Sequence, residues 1–590
     1  MKRSLIYFCL AMLVSSCMND AFMDVYPKDQ QTEKTAFKSY DNFKTYSWGL
    51  YNVFFGYASD TRQTDSIFIG DYEADNMIKG PYGNESRWAY GKAKAEAESP
   101  DWDYVYIRNV NLMLDNIDQS SMSEADKKHW RSVGLFFRAY KYFQMLSKFG
   151  DLPWVEHVIT EASPELYASR TTRDLVASNL LSDLKWAEEN IKPAGDGNNT
   201  INTNVVRALI SRFCLFEGTW RKYHNLANAE TYLKECERVG PLLMKAFPTI
   251  MPHYDEVFNS EDLAGQPGII LFKAYAANRL CHGLTRMVRT AESNIEATKD
   301  AVDAYLCSDG RPFKGNDKDV HEQFRNRDHR LYLTICPPYM VNVSNKTNWS
   351  HTGKPEDREF IDLMAEISDE TFHRLPTTNF KGFVCSRQPH FKNNNKGQAW
   401  NATQMGFWVW KYYNTHTNAI NATGVCTTDA PLFRIEETML DYAEAMFELG
   451  KFDQSVADKT INILRKRAGV AAMKLTEITP AFDSHRDASV DPILWEIRRE
   501  RRVEFMGEGR RLDDLRRWAK GSYVDKQPLG VYVADAAANK VKVTGGHSDN
   551  EGYAFYFNQP TGWQQHYYLY PLPLKQLALN KNLKQNPGWK

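Results

Sequence analysis

The stretch from Asp491 to Trp518, DPILWEIRRERRVEFMGEGRRLDDLRRW, constrains the fold more than any other part of the chain. Asp491 is a good helix N-cap, and Pro492 suits the first helical position, where an N–H would find no partner. Eight arginines follow, and the acids Glu500, Glu504, Glu508, Asp513 and Asp514 sit among them. Opposite charges recur three and four residues apart, a spacing that lets them pair along a helix. Val503, Phe505, Leu512, Leu515 and Trp518 are interleaved with the charges. The pattern predicts one helix that ties layers of the fold together by ion pairs. A basic stretch can also contact phosphate, but mixed signs weaken a nucleic-acid patch. Gly507-Glu508-Gly509 falls inside this helix and lacks the third glycine of a dinucleotide-binding loop. Charge reversal at Arg510 or Asp514 is therefore expected to cost folding before it costs binding.

At 590 residues, length alone allows about four domains. Composition is that of a globular protein, 43% hydrophobic and 25% charged. Aromatic residues reach 13%, and such rings serve cores or act as platforms for flat ligands. A formal net charge of −1 argues against a polyanion-binding protein. At the N-terminus, Lys2 and Arg3 precede an apolar run from Leu5 to Val14, too short to span a bilayer. Ser15-Ser16-Cys17 then resembles a bacterial lipobox. In that reading residues 1–16 are a signal peptide, Cys17 is acylated, and residues 17–34 are a polar tether. Acyl chains contribute about 0.8 kcal/mol per buried methylene, so two or three anchor a protein durably. The seven cysteines beyond Cys17 are widely spaced, without a C-x-x-C pair, and read as buried small hydrophobes. No metal site and no cofactor are expected.

Helical stripes dominate the pass along the chain. Ser123 and Asp126 form a capping pair ahead of Leu135, Ala139, Phe143, Leu146 and Phe149. Further stripes are Val176 to Ile191, Val206 to Trp220 and Tyr232 to Leu243. Leu432 to Gly469 reads as a helix, a Leu449-Gly450 turn and a returning helix over Val456 to Ala468. These pairs, within about 123–247 and 432–469, resemble degenerate tetratricopeptide units that stack around a shared core. The expected fold class is thus mainly α, with one domain over 35–590. Residues 310–431 are loop-rich and variable in character, with short strand-like pieces at Tyr332–Ile335 and Phe407–Tyr413, and Ile269–Tyr275 just upstream. Long irregular segments of this kind are often functional.

Several motifs, in order, resemble the SusD/RagB-like outer-membrane lipoproteins of Bacteroidetes nutrient-uptake systems. They are Ser16-Cys17 followed by Phe22-Met23-Asp24; Leu135 to Tyr140 with Phe149-Gly150-Asp151-Leu152-Pro153; Asn326 to Arg330, with His329 where the family usually has proline; Glu437 to Ala445; Glu500 to Trp518; and Tyr570-Pro571-Leu572-Pro573 with Gln585-Asn586-Pro587-Gly588-Trp589. The resemblance implies the SusD-like fold, with tetratricopeptide-like pairs on one side and loops on the other. It implies a lipid-anchored protein of the outer membrane, facing outward, that covers a SusC-like TonB-dependent transporter. The implied role is capture of oligosaccharides without catalysis; the RagB branch implies peptide capture instead.

Sugars offer flat apolar faces rimmed by hydroxyls, so exposed Trp and Tyr beside Asn, Asp or Arg suit them. The first candidate stretch is Asp71 to Tyr90, with Tyr72, Asp75, Asn76, Arg87, Trp88 and Tyr90. The family resemblance places a glycan-stacking aromatic here, and Arg87-Trp88 fits by position and type. The second set is Trp349, Trp400 and Trp408, the last sharing a strand face with Trp410. Each of these tryptophans has a plain alternative as a core residue. A glycoside hydrolase needs two facing carboxylates, which sequence does not reveal. No H-E-x-x-H, G-x-S-x-G or P-loop motif is present.

Overall fold

Helices form where the apolar stripes and the caps coincide. The computed structural model describes residues 36–58, 66–80, 83–289, 295–344, 349–369, 371–377, 403–416, 425–533, 547–548 and 551–590. Cys17, Cys385 and Trp400 lie outside these residues. Glu124–Phe149 begins where the Ser123 side chain accepts the Asp126 N–H at 3.2 Å, and ends at Gly150. Arg173–Asn190, capped by Thr172, packs along it. Thr203–Tyr223, capped by Asn202, pairs with Ala229–Ala246, and Ile435–Glu448 lies against both. The facing stripes are buried: Val206, Leu209, Phe213, Leu243, Met439 and Ala443 all belong to one core. Each fully buried Leu, Val or Phe contributes about 1.5–3 kcal/mol relative to exposure. The expected helical pairs are thus present and give a mainly α fold.

The returning helix after Gly450 is not continuous. It divides into Gln454–Lys459 and Ile461–Arg467 at Thr460, whose φ of −130° and ψ of −90° leave the helical region. The other side of the molecule has a second core of rings, including Tyr305, Phe324, Tyr332, Phe407, Trp408, Trp410 and Tyr412. Short antiparallel pairs trim it: Met77–Lys79 with Ile295–Ala297, and Ile269–Lys273 with Ala430–Arg434. Leu529–Tyr532 and His547–Ser548 flank Tyr553–Phe555. Two strand expectations need correction. Most of Tyr332–Ile335 belongs to a short helix, His329–Thr334, because the Asp328 side chain caps it at Arg330 N. Phe407–Tyr413 is not a regular strand; it makes isolated bridges from Trp408 to Glu296 and from Val409 to Ile335. Among the described cysteines, five are buried, Cys307 is half-buried, and none is in a disulfide.

The arginine-rich stretch is two helices, Pro492–Glu504 and Arg511–Arg517, rather than one. Gly507 and Gly509 sit between them at φ +81° and +71°, a left-handed conformation that side chains resist. Gly70 packs so closely there that a Cβ on it would lie 1.9 Å from the Gly509 carbonyl oxygen. The buried Asp71 carboxylate accepts the Gly509 N–H at 2.7 Å.

Both sides of the fold converge on these two helices. Glu504 receives Arg434 at 2.6 Å, Arg467 at 2.6 Å and Arg330 at 2.9 Å. Arg501 bridges Asp441 at 2.7 Å and Asp514 at 2.9 Å. Arg517 holds Glu444 at 2.7 Å, and the Trp518 indole N–H donates to the same carboxylate at 2.6 Å. Burial alone would push Glu444 and Glu437 up from 4.5, but Arg517 and Arg212 respectively override it and hold both at about 2. Carboxyls depressed on folding stabilise fully above pH 4.5, and the contribution is lost as pH falls through about 2. Asp71, raised by burial from 3.8 to about 6, works in the opposite sense between those values. Thermal unfolding should therefore show its steep loss of midpoint only below about pH 4. Glu444→Gln should flatten that acid limb; an unchanged limb would remove Glu444 from this role.

Candidate ligand cleft

Pairing of Met77–Lys79 with Ile295–Ala297 brings the 71–90 stretch beside Lys299 and Asp300. Tyr523 to Leu529 and the segment around Phe557 close the other walls. These four segments line a cleft of about 440 Å³. Tyr72, Tyr90 and Tyr523 are half-buried there, each with a polar or charged neighbour. Lys79 Nζ lies 5.4 Å above the Tyr72 ring. The Tyr90 hydroxyl donates to the Asn558 carbonyl at 2.7 Å, which fixes its ring against Phe557. The Tyr523 hydroxyl donates to Asp487 at 2.7 Å. Asn84, Gln527 and Gln559 add amides that can both donate and accept. A second chamber of about 670 Å³ shares Asp75, Lys299, Asp300, Asp303, Tyr523 and Lys526 with the first. Rings beside hydrogen-bonding side chains suit a flat, hydroxylated ligand.

The structure divides the candidate residues from Asp71 to Tyr90. Tyr72, Asp75 and Tyr90 line the cleft. Trp88 does not: it is 1% exposed, packed 4.7 Å from the Tyr570 ring and 5.4 Å from Tyr567. A stacking role for Trp88 is corrected to a core role, because large rings from the C-terminal segment cover it. Arg87 lies over Trp88 at 4.8 Å, with its backbone N–H on Glu73, and is not among the cleft walls. Asn76 is 1% exposed; its amide donates to Asp71 and accepts from Arg502 at 2.7 Å, so it joins loop to helix rather than ligand to loop. Asp75 serves both places, receiving Arg511 at 2.7 Å and Arg502 at 3.3 Å. Trp349 and Trp408 are also core: Trp349 packs on Tyr339, and the Trp408 indole N–H donates to the Val288 carbonyl at 2.9 Å. Lys299, Asp300, Tyr523, Lys526 and Phe557 had no sequence signal, since they meet the 71–90 stretch only through the fold.

The charge balance of the cleft is set by pairing. Burial pushes the Asp300 carboxyl up, but Arg502 at 2.8 Å more than offsets this and holds it below the usual range. Asp75 is likewise held low by Arg502 and Arg511 against the effect of burial. Asp303 binds Lys299 at 2.6 Å. Among the described residues, no group of three or more His, Cys, Asp or Glu side chains is placed to hold a metal ion. No helix of the described residues is long and apolar enough to cross a membrane.

The architecture and sequence match one family. The sequence model of the SusD family covers residues 284–589, just over half of the chain, and the chain belongs to that family. A second family model, described as starch-binding associating with outer membrane, matches residues 21–215. The starch-binding protein SusD of Bacteroides thetaiotaomicron is 29% identical, over 98% of this chain and 96% of that protein. SusD-like protein P2 of Formosa agariphila is 20% identical over 82% of this chain and 79% of its own length. A crystal structure of a SusD-like carbohydrate binding protein from Bacteroides fragilis superimposes with a TM-score of 0.68 at 21% identity, covering 93% of this chain and all of that one. A second SusD-like protein from the same species gives 0.66 at 19% identity, covering 96% of this chain and all of its own. At these identities the solved structures support the fold alone.

Proposed function

We propose that the chain is a non-catalytic, cell-surface glycan-binding lipoprotein that captures oligosaccharides and hands them to a SusC-like TonB-dependent transporter. The observation that carries this reading is the cleft in which Tyr72, Tyr90 and Tyr523 stand beside amides and charged side chains. Membership of the SusD family, and a relative whose name records starch binding, support it. The carboxyls Asp75 and Asp300 are held ionised by arginines, which leaves them poor general acids at neutral pH. Residues 1–16 are the proposed signal peptide, Cys17 the acylated residue, 17–34 the tether and 35–590 one SusD-like domain. The protein then sits on the outer membrane through its lipid alone.

Affinity electrophoresis against a panel of polysaccharides tests the binding. Retardation by at least one glycan, with no release of reducing ends, is the expected result. Binding of peptides with retardation by no glycan would overturn it in favour of the RagB-like alternative, and turnover would overturn the non-catalytic part. For the anchor, Cys17→Ala should move the protein from the membrane to the soluble fraction. Retention at the membrane without acyl chains would contradict the lipobox.

A further inference from the structure

We infer that the second chamber recognises an anionic substituent on the bound glycan, a carboxylate or a sulfate ester, through Arg498. This rests on the glycan-binding reading and adds the ligand class. Arg498 lines that chamber beside Trp495 and Trp518, and its side chain is 5% exposed. Its Nε and Nη2 have no hydrogen-bond partner among the described residues. The nearest carboxylate is Glu448 at 3.8 Å, and that group is already engaged by Lys222 and by the Tyr223 hydroxyl, each at 2.6 Å. Neighbouring arginines differ. Arg499 binds Glu496 and Asp483, Arg502 binds Asp300, and Arg511 binds Asp75.

The chamber's carboxylates are meanwhile taken. Asp303 and Asp317 hold Lys299, and Asp487 holds Lys520 and Tyr523. Lys314, exposed on the same wall, has no ion pair among the described residues. The spare hydrogen-bonding capacity of the chamber is therefore cationic. A buried guanidinium whose Nε and Nη2 lack hydrogen-bond acceptors carries a desolvation cost that an anion can offset, with planar donors matched to carboxylate or sulfate oxygens. Trp495 is held by its indole N–H on Asp483 at 2.9 Å, and its ring stands 6.4 Å from Tyr523, so a sugar face has rings beside the charge.

The test is calorimetric titration of the full chain with matched pairs: polygalacturonic acid oligomers against their carboxyl-reduced form, and dextran sulfate against dextran oligomers. The expected result is that the anionic member of at least one pair binds about tenfold or more tightly. That preference should weaken as salt is raised and shrink in Arg498→Gln and in Lys314→Ala. The two pairs tell a carboxylate from a sulfate. Lys314→Ala decides the matter if Arg498→Gln does not fold. Equal binding of both members of both pairs, or a preference unchanged in the variants, would overturn the inference while leaving glycan binding intact. Binding of no glycan, acidic or neutral, in this titration and in the wider panel would overturn the parent reading as well.

Discussion

Glu504→Gln should destabilise the protein by about 3–5 kcal/mol, since breaking a buried ion pair leaves its partners charged and unmatched. Glu504 is fully buried and takes three guanidiniums, from Arg330, Arg434 and Arg467. Burial would raise its pKa, yet those arginines hold it well below 4.5, so it is charged at neutral pH. The neutral amide keeps the shape and removes the charge. Arg330 keeps Asp328 and Glu500, and Arg467 keeps Glu436. Arg434 keeps Glu508. The loss is therefore that of one centre in a network rather than of every pair. Asp513→Asn is the control: Asp513 is half-exposed beside Arg516 at 3.2 Å, where a surface pair contributes about 0–1 kcal/mol. Denaturant unfolding monitors both. A loss below about 1 kcal/mol at Glu504 would show that the network does not hold the layers together.

Asp75→Asn should cost about 3 kcal/mol of stability, although Asp75 lines the cleft. Arg511 binds both of its oxygens, at 2.7 and 2.8 Å, and has no other ion pair among the described residues. Arg502 retains Asp300 and the Asn76 amide. Asp303→Asn gives the contrast, since Asp303 lines the same cleft, is more than one-third exposed, and pairs with Lys299 alone. Its expected cost is within about 1 kcal/mol. If Asp75→Asn folded with unchanged stability and lost only ligand, Asp75 would be a recognition residue and not a positioning residue. The cleft wall is thus continuous with the arginine helices, and the two parts that look independent in sequence are joined at two carboxylates, Asp75 and Asp300.

How much of this is legible in the chain depends on the kind of signal. Caps and stripes are local, so Ser123, Asp491 and the Val206–Trp220 face can be read directly and the structure agrees with them. The break after Glu504 is also written locally, in two glycines two residues apart, but the surrounding charge pattern hides it. The cleft is different. Tyr72, Asp75 and Tyr90 could be found because they crowd one short stretch. Tyr523 and Phe557 lie more than 400 residues further on, and nothing in their own neighbourhoods marks them. Trp88 shows the converse error: residue type gives the size of a ring and not which side of the fold it faces. What buries it is Tyr567, Tyr570 and Trp589, at the far end of the chain.

Recognition by the cleft, with the arginine helices as scaffold, is tested most directly by titrating a glycan that retards the wild-type protein into Tyr90→Ala. Tyr90 lines the cleft, and the hydrogen bond from its hydroxyl to the Asn558 carbonyl fixes the ring without engaging any charged group. The expected result is an affinity about tenfold weaker, as for loss of a stacking ring, with a folded protein throughout. Unchanged affinity in folded Tyr90→Ala would contradict the placement of the site.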